Sequence, residues 1–255
     1  MIRILVVGFM LFSLTAGAVA DEKAGMVILS LGKNFAQLPD SDARALKRKS
    51  EIYNQDTVTT ATNGRLQLRF TDGSRLSLGE GSQFYVEQYQ YAEDTANEGR
   101  SVYKLLKGSL RTITGAISKA DSDNYLLKTP IATIGVRGTD YIVSLCEKDC
   151  TATNQSGPGL YGYVIEGEIE VTGGDKKHAV LAGRYFYMNL SGEISISEQP
   201  LSAFELMQGF DGEALNLKGI DPSIPAMDIQ KRPELEQLRV PNQNGTQGSA
   251  ENPSQ

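Results

Sequence analysis

An all-β domain is what this sequence predicts, and three observations predict it. Across residues 65–78, R-L-Q-L-R-F-T-D-G-S-R-L-S-L, apolar and polar residues alternate on both sides of a turn, the period-two mark of a half-buried hairpin. Across residues 129–143, T-P-I-A-T-I-G-V-R-G-T-D-Y-I-V, the alternation persists but changes phase at two glycines. Between Tyr161 and Tyr187, Tyr161, Tyr163, Ile165, Ile169 and Val171 read as one face with Glu166-Gly167 as a bend, and further short apolar runs are separated by Gly-Gly-Asp and Ala-Gly turns. The expected architecture is a compact domain of short strands with Gly-centred corners, solenoid-like or sandwich-like, plus a short C-terminal helix. Alternation alone does not separate the two arrangements.

In chain order, residues 1–20 read as an export signal. Arg3 supplies the positive start, residues 4–14 an apolar run, and Ala18-Val19-Ala20 a small-residue cleavage site. Cleavage after Ala20 makes the expected location periplasmic or secreted, with no transmembrane segment left after cleavage. The β domain then spans 21–198. Val27, Leu29 and Leu31 alternate with Ile28, Ser30 and Gly32 in a first strand. Residues 33–56 are polar and irregular, with a helical turn over 41–49, and residues 56–61 have strand composition.

The hairpin of residues 65–78 has a definite register. A two-residue Asp72-Gly73 turn would put its apolar rows on opposite faces. A three-residue Thr71-Asp72-Gly73 loop, with Gly73 left-handed, pairs Leu68 with Leu76 and Leu66 with Leu78. Phe84, Val86, Tyr89 and Tyr91 form another extended segment, and residues 93–99 a loop. After a strand-rich stretch over 103–117, Asp121-Ser122-Asp123-Asn124 is a turn.

Pro130 opens the next strand by fixing its own φ and pushing Thr129 towards extended geometry. Ala132, Ile134 and Val136 occupy one face; Tyr141, Val143 and Leu145 are out of phase with them. A continuous strand would turn one row away from the core, so a bulge or corner lies between Gly135 and Gly138. Arg137, between those glycines, reads in two ways. It is an anion or partner contact, or a fork tying the bend together with Asp140 as its nearby carboxylate.

The string T-P-x-A-x-x-G-V-R-G-T over residues 129–139 resembles the signature of the FecR domain family. F-T-D-G-S-R-L-S-L, L-x-x-G-x-L from Leu105 to Leu110, V-x-x-G-x-I-x-V from Val164 to Val171, and V-x-x-G-x-x-x-x-M from Val180 to Met188 extend the likeness. It runs from about Gly25 to Leu190 and favours a solenoid-like arrangement. It marks Thr129, Pro130, Gly135, Arg137, Gly138 and Thr139 as motif residues, structural in role with a contact as the alternative. In FecR-type regulators the domain lies in the periplasm and takes a signal from an outer-membrane receptor. A membrane helix and a cytoplasmic segment then control a sigma factor. The export signal here departs from that plan, so direct sigma-factor control is not expected.

Catalysis is not expected. No nucleophile elbow, zinc-protease helix or phosphate loop is present, and the single histidine, His178, follows Lys176-Lys177 in a turn. Glu166, Glu168 and Glu170 alternate along a strand as a solvated face; paired sugar-cleaving acids are the sharper but weaker reading. No metal or cofactor is implied. Cys146 and Cys150, the two cysteines, are expected to form a disulfide around C-E-K-D-C, contributing about 2 kcal/mol. Without Arg3 the chain holds 24 Lys and Arg against 31 Asp and Glu, which excludes a nucleic-acid partner. The dense basic run over 44–49 reads as a solvated turn.

Two binding roles follow. The first is a non-catalytic module contacting an envelope protein, in scaffolding or signal sensing. The second is a peptidoglycan- or other glycan-binding module using Tyr85, Tyr89, Tyr91, Tyr161, Tyr163, Tyr185 and Tyr187. Past the domain, Leu201, Phe204, Met207 and Phe210 behind a Ser202-x-x-Glu205 capping box predict a short helix within 199–221, packed on the strands. Residues 222–255 read as a disordered polar tail.

Overall fold

The computed structural model describes residues 22–147 and 157–199. The chain divides after Leu217 into two units, and every described residue belongs to the first. The expected export signal, the helix from 200 onward and the polar tail lie outside the described residues.

Among the described residues, fifteen strands form one hydrogen-bonded sheet. They are β1 (Lys23–Leu31), β2 (Asn34–Gln37), β3 (Arg44–Ala45), β4 (Glu51–Tyr53), β5 (Thr57–Thr60), β6 (Arg65–Phe70), β7 (Arg75–Leu78) and β8 (Gln83–Gln90). After a 3-10 turn at Glu93–Glu98 come β9 (Arg100–Ile113), the short helix α1 (Ala116–Ala120) and β10 (Tyr125–Lys128). β11 (Thr133–Cys146), β12 (Gly159–Gly173), β13 (Lys176–Leu181), β14 (Tyr185–Asn189) and β15 (Ile194–Ser197) complete it.

Three strands are long, and each serves two neighbourhoods. β9 pairs with β8 and β10 up to Lys107, then with β7 and β11 from Gly108. β11 pairs with β10 up to Gly135, then with β9 from Asp140, while β12 accompanies it on the other side. β12 pairs with β14 over Gly159–Tyr163 and with β13 over Glu168–Gly173. The sheet therefore folds over along these three strands into two halves. One holds β2, β3, β5, β8, β10 and β13; the other holds β1, β4, β6, β7, β14 and β15.

The inner faces of the halves share one apolar cluster. Phe70 of β6 reaches across to Tyr89 of β8 and Tyr103 of β9, with ring centroids 5.2 and 5.1 Å apart. Tyr125 of β10 meets Tyr141 of β11 hydroxyl to hydroxyl at 3.0 Å. The arrangement is the sandwich-like one, because every strand pairing except β10 with β9 is antiparallel and no coil repeats. Local alternation is blind to this choice, since it reports faces and not partners.

The hairpin register is the expected one: Leu66 opposes Leu78, Leu68 opposes Leu76, and Gly73 has φ +83°. Elsewhere the local reading is corrected. No helical turn occupies 41–49; β3 lies there, and Arg44 pairs with the buried carboxylate of Asp56 instead of standing in solvent. A bulge between Val27 and Leu29 breaks the alternation of β1 and leaves Leu31 exposed. A second bulge between Val86 and Gln88 lets Phe84, Val86 and Tyr89 all face inward. His178 belongs to β13, opposite Val171, and not to a turn.

The largest misreading concerns β12. Tyr161, Tyr163 and Ile165 do not share a face with Ile169 and Val171. Before the bend the even positions Leu160 and Val164 enter the core, and after it the odd positions Ile169 and Val171 do. The strand changes phase at Gly167, as β11 does at Gly138.

Candidate functional site

The two most specific sequence strings meet in space at the corner where β11 and β12 bend. Thr129-Pro130-Ile131-Ala132 is the turn joining β10 to β11 and not the start of a strand, because Thr129 closes it on itself. The Thr129 hydroxyl accepts the Ala132 N–H at 2.9 Å, and the Thr129 N–H donates to the Ala132 carbonyl at 2.8 Å. Pro130, its φ fixed and its nitrogen without a proton, occupies a turn position where no ladder bond is lost. Ile134 and Val136 then point into the core, and Gly135 lies between them.

At the corner itself Gly138 adopts φ +62° and Gly167 of β12 adopts φ +83°. The register shifts between Arg137 and Asp140, so one strand gains residues over its partner. Thr139 locks the bend from inside. Its hydroxyl donates to the Glu168 carbonyl at 2.8 Å, and its N–H donates to the Thr114 hydroxyl at 2.9 Å. The Thr114 N–H donates back to the Thr139 carbonyl at 3.0 Å. A side chain at Gly167 would lie 2.7 Å from the Gly138 carbonyl oxygen, so the two glycines permit the strands to pass this closely.

Thr114 also links the corner to the hairpin string. Its neighbour Gly115 lies against Asp72, and the Ala116 N–H donates to the Asp72 carbonyl at 2.9 Å. The Asp72 carboxylate accepts the Ser74 N–H at 3.0 Å and its hydroxyl at 2.7 Å, which sets the loop. The Asp72 N–H donates to the Tyr89 hydroxyl at 2.8 Å. The T-D-G-S loop and the G-V-R-G-T corner are thus two walls of one hydrogen-bonded junction. The segment between them, Thr114 to Ala116, has no period and gave no sign of this role in the sequence.

Asp140 is buried, 2% exposed, and its partner is Arg111 of β9, not Arg137. Arg111 Nε and Nη2 each donate to one carboxylate oxygen at 3.0 Å, a two-pronged pair of the geometry arginine favours. The reason is register: Asp140 stands opposite Ile113, two residues from Arg111 along β9. Arg137 is exposed, stands opposite Glu168, and makes no ion pair among the described residues. Glu166, Gly167 and Glu168 are exposed beside it, and Glu170 is held by Lys177 at 2.7 Å.

The remaining sequence candidates are dispersed. Tyr89 is in the core and burial pushes its hydroxyl pKa up. Tyr161 and Tyr163 point away from the core; Tyr161 packs at a tilt against Tyr187 of β14 and Tyr163 stacks on Tyr185, with centroids 4.8 and 4.3 Å apart. Cys146 ends β11; Cys150 lies outside the described residues. Among the described residues no group of three or more His, Cys, Asp or Glu is placed to hold a metal ion, and no helix is long and apolar enough to cross a membrane.

Residues 56–170 match the family model described as FecR protein. No curated protein matches the chain. Two crystal structures of a candidate anti-sigma factor from Parabacteroides distasonis ATCC 8503, at 2.50 and 1.65 Å resolution, are similar at 15% identity and a TM-score of 0.44. The alignment covers 61% of this chain and spans 64% and 65% of those chains.

Proposed function

We propose, from the match of residues 56–170 to the FecR protein model, that this chain is a non-catalytic, signalling-related binding module that contacts a protein of the cell envelope through the β11–β12 corner. The observation that carries this reading is a division of labour within one motif. Thr129, Pro130, Gly138 and Thr139 are consumed by the turn and the bend. Arg137, in the middle of the same string, is presented to solvent without an ion pair among the described residues. A guanidinium held on a rigid bend loses little freedom when a carboxylate or carbonyl docks on it. The reading of residues 1–20 as an export signal supports a periplasmic or secreted location for the module.

The tyrosines support a glycan platform less well. Tyr89 and Tyr161 are buried, and Tyr163 and Tyr185 each give one ring face to the other. Affinity capture from a solubilised envelope extract, with the chain from Asp21 onward as bait, separates the readings. A discrete protein retained in stoichiometric amount is the expected result. Protease-resistant glycan without such a protein would overturn it.

A further inference from the structure

Among the described residues four strands have a neighbour on one side only: β3, β4, β13 and β15. β3, β4 and β15 hold two, three and four residues, whereas β13 offers six. A free strand edge is a template for another strand, and proteins blunt such edges with short length, lysine, proline or bulges. No bulge interrupts the register of β13 on β12, and its last four residues, His178-Ala179-Val180-Leu181, hold neither lysine nor proline.

The hairpin fixes which backbone groups this edge offers. Gly173 opposes Lys176 across the two-residue turn Gly174-Asp175, so the two exchange hydrogen bonds, and by alternation so do Val171 with His178 and Ile169 with Val180. The N–H and C=O groups of Lys177, Ala179 and Leu181 therefore point away from β12. The Leu181 carbonyl accepts the Arg184 N–H at 3.1 Å; the other five groups have no backbone partner among the described residues. The same three side chains are exposed on the outer face, Leu181 by 55%.

We propose that this edge pairs antiparallel with the β13 edge of a second copy of the chain, with Ala179 on the two-fold axis. Ala179 then exchanges hydrogen bonds with its own counterpart, and each Leu181 N–H reaches the second copy's Lys177 carbonyl. Charge favours this occupant and this register. Each Lys177 opposes a leucine, whose side chain its aliphatic stem covers, and not the other lysine. One strand beyond that leucine stands Glu168, so the basic end of each β13 lies towards an acid of the other copy. An axis at His178 would bring the two Lys177 side chains closer together. An axis at Val180 would require Gly183 to pair, where the chain has already turned back and the Gly183 N–H donates to the Val164 carbonyl at 2.8 Å. The pairing continues the sheet from copy to copy and puts both Arg137 side chains on one face, five strand spacings or about 24 Å apart across the strands. It rests on the edge of β13 and not on the corner reading.

The test places a photoreactive benzoylphenylalanine at Leu181 and mixes heavy-isotope-labelled with unlabelled chains in equal amounts. The mixture is irradiated, alone and in solubilised envelope extract, and crosslinks are mapped by mass spectrometry. The same probe at Leu190, exposed but outside β13, is the control. A urea midpoint shows that each chain is folded, and the probe at Lys177 replaces the first if position 181 does not tolerate it. Crosslinks joining labelled to unlabelled copies within residues 176–182, at least fivefold above the control, are expected. Crosslinks confined to one copy, none above the control, or crosslinks in extract to a different protein with none between copies would overturn the proposal.

Discussion

At the scale of single residues, burial decides what each motif side chain does. Asp140 and Arg111 are both withdrawn from water and satisfy each other through two hydrogen bonds. Asp140→Ala strands the Arg111 charge, and a loss of about 3–5 kcal/mol is expected from urea unfolding. Thr139→Val keeps the volume but deletes the donor to the Glu168 carbonyl, for about 1–2 kcal/mol. Arg137→Ala removes a solvated side chain and leaves stability within about 0.5 kcal/mol. The sequence marked all three residues but paired them wrongly. Asp140 and Arg137 are close along the chain, and only the long-range register of β9 on β11 brings Arg111 to the carboxylate. Proximity in sequence is a poor guide to partners in a fold built from antiparallel crossings.

At the scale of elements, corners and loops carry the information that strands lack. The T-D-G loop was readable because only a three-residue turn brings the apolar rows of β6 and β7 to one face, and the observed pairing is that one. The phase change of β11 was readable for the same reason. In β12 the same change was missed, since Tyr161, Tyr163 and Ile165 are as apolar as the residues that replace them in the core, Leu160 and Val164. Composition cannot choose between two rows that are both apolar. The corner glycines give a graded prediction. A side chain at Gly138 meets nothing within 4 Å, so Gly138→Ala bears only the left-handed penalty of about 1 kcal/mol. Gly167→Ala adds a clash with the Gly138 carbonyl to a similar φ, and is expected to cost roughly twice as much. Equal urea midpoints for the two variants would contradict this account of the corner.

At the scale of the whole described fold, the family match over 56–170 is a part of the structural unit and not its limit. β1 lies between β6 and β4 and contributes Ala24 and Val27 to the core, while β14 contributes Phe186 and Met188. A fragment of residues 56–170 alone exposes those contacts and is expected to show no cooperative unfolding transition. The two halves also share a tyrosine cluster. Burial raises the pKa of Tyr125 to about 12 and pushes Tyr89, Tyr103 and Tyr141 up as well. The folded state thus favours the neutral phenols. Their contribution is complete below about pH 10, the unfolded value, and is lost as pH rises towards 12. Urea midpoints should fall across that interval, and a flat profile would contradict the burial of the cluster.

The central claim joins these scales: the motif builds a rigid corner so that Arg137 can be offered to a partner. Envelope capture with the Arg137→Glu chain, run beside the unaltered chain with a urea midpoint for each, tests it most directly. The account predicts equal midpoints and at least a tenfold loss of the captured protein. Equal capture by the two chains would show that the corner is architecture alone.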